Sequence, residues 1–328
     1  MKFHGLTILL VCCFAASTYP QASYELTDEG FEAIAVPEPG TPAAELAAAR
    51  KLIAQDEPKD ALKLLDQWLL DHPGDPLTVE AKLLRGDANA AAGEFYLSLF
   101  DYEDVITRYP ASEQFWTALE REYEIGVLYT TGFRRKFLGF RWLPAEPEGA
   151  ELLIRIQERA PGSTLGEKAS LALADHYFRA GEMPLATDAY DLFLVNYPQS
   201  DQRQWALLRL IQASLARFKG PEFDATGLID AQERLRQYRD EYPAGADRIG
   251  TEALLVRIRE SLARRDLASA DWYDRTGEKV SAVLLYRRLI EDYPDTAAAR
   301  EAIERLDRLG EPPVAPDPYG VNSSGGAS

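Results

Sequence analysis

The chain has 328 residues, with 53 acidic and 36 basic side chains and a formal charge of −17. Phosphate backbones want clustered Lys and Arg, and here most basic residues are interleaved with acids, which argues against nucleic acid as a partner. Sparse β-branched residues and abundant Ala, Leu, Glu and Arg favour an all-helical chain.

Residues 1–22 have the form of a secretory signal, with Lys2 at the charged start, an apolar run from Leu6 to Ala16, and small residues at Ala15–Ser17 or Ala22 for cleavage. The run is too short to span a bilayer as a stable helix. Both cysteines, Cys12 and Cys13, lie inside it. They read either as apolar residues removed with the signal or as a bacterial lipobox, Leu10-Val11-Cys12-Cys13, that receives a lipid. Either way the expected mature chain lies outside the cytoplasm, and its repeats form no disulfide. Residues 23–41 are polar with a Pro/Gly cluster and read as a linker.

From residue 42 a repeat sets the pattern. Its clearest copy, 165–200, holds two amphipathic runs. Leu171, Ala174, Tyr177 and Phe178 share one helical face, and Ala186, Ala189, Tyr190, Phe193 and Leu194 another. Gly181 separates the runs, Pro198 stops the second, and Ser200 offers a cap oxygen. With Pro198 as anchor, the template has a small residue 12 positions before it, a large apolar residue 8 before it and a polar residue two after it. Pro73, Pro110, Pro161, Pro243 and Pro294 reproduce the small residue as Ala61, Ser98, Gly149, Ala231 and Ala282. The large residue recurs as Leu65, Tyr102, Leu153, Leu235 and Tyr286. Anchor spacings of 37, 51, 37, 45 and 51 residues bracket the lengths of helix-pair repeats, with insertions. The expected fold is all-α, a tetratricopeptide-like helix-pair solenoid of about six units over 42–310. A capping helix at Ala297–Leu309 closes it, and a disordered tail occupies 311–328.

The third unit departs from the pattern. Its first helix, about Glu113–Thr131, is long, and residues 133–144, FRRKFLGFRWLP, have no helical period. Arg134, Arg135, Lys136 and Arg141 alternate there with Phe133, Phe137, Phe140 and Trp142. Such a basic aromatic insertion either packs over helix ends or contacts an acidic partner or membrane headgroups. The fifth unit breaks at Lys219-Gly220-Pro221, and the sixth begins with one run from about Arg248 through Arg275.

Catalytic signatures are absent from the sequence: it has no HExxH, CxxC, GxSxG, Walker A or GxGxxG. His72 stands before an anchor proline as a packing residue, and His176 borders the groove face. Two separated histidines without cysteine make a poor zinc site, so neither metal nor cofactor is expected. A helical-toroid glycosidase would need paired carboxylates across a cleft. Glu120, Glu122 and Glu124 read as solvated on one exposed helix, and Asp224 and Asp266 as isolated. The expected protein is not an enzyme.

Three segments carry a family likeness: AxLALAxxYFRAGEMxLAxxAYxxFLxxYPxS at 169–200, FDxTGLxDAxxxLxxYxxxYP at 223–243, and RIRESLARRDLASADWYDRTGEKVSAVLLYRRLIEDYPDT at 257–296. From about Arg155 to Gly310 the chain resembles the BamD family of outer-membrane assembly lipoproteins. Where that family usually has a basic residue before Leu262-Ala263, this chain has Ser261, with Arg257 and Arg259 just upstream. The resemblance implies a scaffold on the periplasmic face of the outer membrane, docking on a BamA-type barrel component and receiving unfolded outer-membrane proteins. Tyr123, Tyr177, Trp205 and Arg209 on first-helix faces are candidates for holding an extended peptide. Arg257, Arg259, Arg134, Arg135 and Trp142 are candidate partner contacts. A Tol-Pal or cell-division coordinating repeat protein is the alternative within binding proteins.

Overall fold

The computed structural model describes residues 23–313 apart from 28–29, 35–36, 138–139 and 221–222, with side chains described outside 23–36 and 135–142. Cys12, Cys13 and most of the expected tail lie outside the described residues. The chain divides into two compact units, residues 1–119 and 120–328.

In the first unit, β1 (Ser23–Thr27) and β2 (Gly30–Ile34) pair antiparallel within the stretch read as a linker. Four helices follow: α1 (Pro42–Ala54), α2 (Pro58–Asp71), α3 (Thr78–Ala91) and α4 (Phe95–Arg108). α2 packs on both α1 and α3, and α3 on α4. Leu46, Ala49, Leu65, Trp68, Ala81 and Ala88 form the core of this stack, and Trp68 Nε1 donates to Pro42 O at 3.0 Å. α5 (Gln114–Thr130) runs across the division.

The second unit continues through β3 (Arg134–Phe137), β4 (Phe140–Pro144), α6 (Glu146–Arg159), α7 (Thr164–Ala180) and α8 (Met183–Asn196). It then holds α9 (Arg203–Arg217), α10 (Thr226–Glu241), α11 (Pro243–Ile249) and α12 (Thr251–Arg275). α13 (Lys279–Asp292) and α14 (Ala297–Leu309) end it. Successive helices from α6 to α10 pack in order, and α12, α13 and α14 contact one another. The fold is all-α and tetratricopeptide-like in its pairs, with two small hairpins added.

The template positions are where the pairs touch. All six large residues, Leu65, Tyr102, Leu153, Tyr190, Leu235 and Tyr286, are fully buried, and so are the small residues one turn before them on the same helices. Ending each second helix, His72, Tyr109, Ala160, Tyr197, Tyr242 and Tyr293 share one backbone conformation, φ near −130° and ψ near +55°. Each gives its N–H to the carbonyl four residues back, at Trp68, Val105, Ile156, Phe193, Tyr238 and Leu289. The following proline excludes the helical ψ, so the chain turns out at that residue every time.

Between the paired helices Gly93, Gly181 and Gly277 take positive φ, and Asp56 does so at the matching place, φ 62°. After Gly181, the Glu182 N–H returns to Tyr177 O at 3.0 Å while the Gly181 N–H bonds Phe178 O, which closes a Schellman turn.

Three expectations change. The insertion at 133–144 is a β-hairpin, with Arg134 opposite Pro144, Arg135 opposite Leu143, Lys136 opposite Arg141 and Phe137 opposite Phe140. Trp142 falls at the bulge where the register shifts. The sixth unit's first run is two helices, because Gly250 at φ 68° ends α11 before α12 begins. Pro243 therefore starts a helix as well as stopping one, and Gly245 sits inside that helix. Ser200 Oγ accepts from Gln202 N within the turn before α9, so it caps that turn and not the helix.

Gly149 is the small residue of the third unit, and it has no room for more. An added Cβ would lie 2.7 Å from Tyr129 Cβ and 2.9 Å from Gly126 O. Gly149→Ala is expected to lower stability by about 1–3 kcal/mol despite its better helix propensity, read as a drop in the urea midpoint at unchanged slope. An unchanged midpoint would mean the two helices approach with slack.

Candidate binding face on the first helices

The first-helix residues singled out by the sequence do not form one cluster. Trp205 and Arg209 come together on α9, against Phe178 of α7, the neighbour of Tyr177. The Arg209 guanidinium carbon lies 4.2 Å from the Trp205 ring centroid and 4.6 Å from that of Phe178. Nη1 donates to Gln212 Oε1 at 3.0 Å, and Nε is buried without a hydrogen-bond partner. Trp205 is 41% exposed and its ring forms one wall of the arginine slot. It also lines a depression of about 440 Å³ with Gln204, Leu208, Tyr238, Arg248 and Ile249. Phe178 was not among the residues singled out for binding, although it follows Tyr177 on the same face.

Tyr177 packs partly against the core beside these residues, and its ring lies 5.5 Å from that of His176. Burial raises its phenol pKa, and the nearby Glu182 adds to the shift. Tyr123 on α5 is half-buried, and burial raises its pKa too. His176 Nδ1 is 3.3 Å from Thr130 O.

Beneath the face, Tyr190 donates to Asp175 Oδ1 at 2.5 Å. The same bond, spanning 15 residues, joins Tyr102 to Asp87 at 2.8 Å and Tyr286 to Asp271 at 2.6 Å. Burial first, and the carboxylate second, push the Tyr190 and Tyr286 phenols far above their ordinary range. In the closing repeat Arg305 Nε also donates to Asp271 at 2.9 Å. Burial works against the Arg305 charge, but the Asp271 bond and the Asp271 and Glu301 charges raise its pKa overall.

The remaining candidates lie elsewhere. Arg257 is exposed on α12, and Arg259 is 4.0 Å from Asp295. Ser261 Oγ donates to Arg257 O at 3.0 Å. Arg134 is exposed at the start of β3. Phe133 stacks on Tyr129 at 5.4 Å and 13°, so the hairpin's first aromatic covers the end of α5. The side chains of Arg135 and Trp142 lie outside those described.

A second depression, of about 490 Å³, lies in the first unit. Ile53, Leu83 and Leu84 floor it, and Arg50, Glu80, Asp87 and Glu113 stand around it, with Arg50 bonded to Glu80 at 2.5 Å.

The carboxylates considered for catalysis have structural assignments. Glu122, expected on a solvated face, is 1% exposed and pairs with Arg159 at 3.2 Å. Glu120 and Glu124 are exposed, and Glu124 pairs with Arg121. Asp224 accepts from both the N–H and hydroxyl of Thr226 and caps the start of α10, and those two bonds lower its pKa. The His72 ring packs tilted against Trp68, with centroids 4.9 Å apart, and lies 3.5 Å from Glu45. Among the described residues, no group of acids, histidines and cysteines could hold a metal ion, and no helix is long and apolar enough to cross a membrane.

Asp266 on α12 differs from these. Burial raises its pKa, Arg265 and Arg288 partly offset that, and Asp292 adds to it. A raised carboxyl pKa costs stability above the folded pKa, and the cost fades as pH falls through that value toward the unfolded one. Asp266→Asn is therefore expected to raise the urea midpoint at pH 7, with a gain that shrinks toward zero near pH 3. A gain independent of pH would assign the effect to packing.

Known proteins are similar to this chain in sequence. The model of the YfiO family, described as outer membrane lipoprotein, matches residues 148–309, from the first turn of α6 to the end of α14. The outer membrane protein assembly factor BamD of Vibrio cholerae is 25% identical over 177 residues, covering 50% of this chain and 70% of that protein. BamD of Caulobacter vibrioides is 21% identical over 190 residues, covering 58% of this chain and 61% of the relative. Among solved structures, the C-terminal part of a TPR repeat-containing protein from Cytophaga hutchinsonii aligns over 81% of this chain and 89% of its own. Its identity is 14% and its TM-score 0.41. A tetratricopeptide repeat protein from Parabacteroides merdae aligns over 80% and 97%, at 13% identity and a TM-score of 0.37.

Proposed function

We propose that this chain, BamD-like from α6 to α14, is a non-catalytic scaffold for outer-membrane β-barrel protein assembly, working at the periplasmic face of the outer membrane. The observation that supports this best is the coincidence of the family match with the helix pairs. Residues 148–309 begin and end with helices of the repeat array and contain four of its six proline anchors together with the Trp205–Arg209 face. In this reading a BamA-type barrel component docks on the second unit, with exposed Arg257 and the neighbouring Arg259 on α12 as contacts. Unfolded outer-membrane proteins lie along the first-helix face, where Tyr177, Trp205 and Arg209 offer aromatic and cationic contacts to an extended chain.

Location follows from the same reading. A lipid on Cys12 or Cys13 tethers the chain. That anchor is of diacyl type and tethers without spanning, and a basic patch beside it adds attraction to anionic headgroups. The hairpin at 133–144 supplies four cations, Arg134, Arg135, Lys136 and Arg141, in a stretch that holds no acid between Glu124 and Glu146.

Affinity purification of the tagged full chain from a Gram-negative envelope tests the function. A BamA-type component is expected to copurify, and to do so less with Arg257→Ala/Arg259→Ala. Recovery of Tol-Pal components in its place would favour the alternative reading. Lipidation is tested by labelled palmitate: incorporation is expected in the parent and not in Cys12→Ser/Cys13→Ser. An unlabelled parent recovered in the soluble periplasm would replace the tether with simple signal cleavage.

A further inference from the structure

The closing repeat and the fourth repeat carry the same Asp, Tyr and Arg in the same order, set in different surroundings. In the closing repeat the Arg305 guanidinium lies between two carboxylates, 2.9 Å from Asp271 and 3.7 Å from Glu301. In the fourth repeat the matching residues are Asp175, Tyr190 and Arg209. Trp205 occupies the place of Glu301, and Phe178 that of Asp274.

Both substitutions remove an acid and add a ring. Asp175 still accepts from Tyr190, but the Arg209 guanidinium lies against the rings at 4.2 and 4.6 Å. Stacking satisfies the faces of a guanidinium, while its N–H donors point outward in its plane. Among the described residues, Nη1 donates to Gln212 and Nε is buried with no acceptor. The Nη edge, opposite the buried Nε, is the part of the cation left to meet a ligand, and two N–H groups between apolar walls match the fork geometry of a carboxylate, with exclusion of water by the walls strengthening the pairing.

We propose that the Phe178–Arg209–Trp205 slot receives a carboxylate of an extended polypeptide partner, in the place where the closing repeat supplies its own acids. The identity of that partner rests on the function proposed above; the chemistry of the slot rests on the comparison of the two repeats.

The test uses the ¹⁵N-labelled full chain and the Nε–H resonance of Arg209, assigned by its loss in Arg209→Met. Four probes are titrated: acetyl-pentaalanine with a free C-terminus, acetylated and amidated Ala-Ala-Glu-Ala-Ala, its Gln counterpart, and inorganic phosphate. A saturable shift with either carboxylate peptide and none with the Gln peptide is expected. A response to the first alone assigns a chain terminus, and to the second alone an acidic side chain. Trp205→Glu reinstates the acid of the closing repeat and is expected to weaken the response at least tenfold without removing the arginine. Arg305→Met is expected to leave it within twofold, and thermal melts check that both variants fold. The proposal is overturned by silence toward both carboxylate peptides, by an equal response to the Gln peptide or to phosphate, or by an unaffected Trp205→Glu. Copurification of a BamA-type component alongside a silent slot would sink this proposal and leave the scaffold reading standing.

Discussion

The contact that everything else depends on is the one that the small and large residues at the middle of each second helix make with the paired first helix, as Tyr102 does with Gly86 and Gly149 with Tyr129. A pair of 14-residue helices such as α3 and α4 orders about 30 residues, at roughly 1–2 kcal/mol of backbone entropy each. One buried Tyr or Leu contributes only about 1.5–3 kcal/mol. A single pair therefore cannot hold itself together, and each must bury its remaining face on the next. The full burial of all six small and six large positions shows that this condition is met in both units.

The proline anchor makes that contact repeatable. A residue before proline is kept out of the helical region, so each second helix ends with the same backbone angles whatever the side chain. His72 and Ala160 adopt the conformation of the four tyrosines. The side chain at this position is then free to serve packing, as Tyr197 does against Phe193 and His72 against Trp68. Backbone constraint and side-chain identity are separated, which is why the repeats diverge in residue type without losing register.

That separation also explains what could be read in the sequence. The helix pairs, their boundaries and the buried positions were legible because period, proline and glycine all report backbone geometry directly. The hairpin at 133–144 was legible only as a break in period, since short two-stranded pairing depends on a cross-strand register and bulge that no local pattern announces. The split between α11 and α12 was signalled by Gly250 but masked by the helical residues on either side of it. Glu122 was misread because its sequence neighbours are charged. Its burial is set by Arg159, 37 residues away, and that partner becomes visible only once α5 and α6 are packed. For the candidate face, Trp205 and Arg209 were identified from their helix positions. Phe178 went unnoticed because it matches the core period.

The Asp–Tyr bond beneath that face shows how a repeat can vary its surface while keeping its interior. Tyr102, Tyr190 and Tyr286 are each fully buried, and each needs an acceptor for its hydroxyl. An acid 15 residues earlier on the first helix supplies it every time. Where the large residue is Leu, as at 65, 153 and 235, no hydroxyl needs an acceptor, and 15 residues before Leu65 the first helix holds Arg50 and not an acid. The acid is therefore tied to the tyrosine by desolvation. The arginine on the next first helix is not so tied: Arg305 is consumed by Asp271 and Glu301, whereas Arg209 lies against two rings. Variation at the wall positions changes what the arginine meets without disturbing the buried Tyr. The outer edge of the first helices is thus where this architecture can change its binding chemistry at little cost to folding.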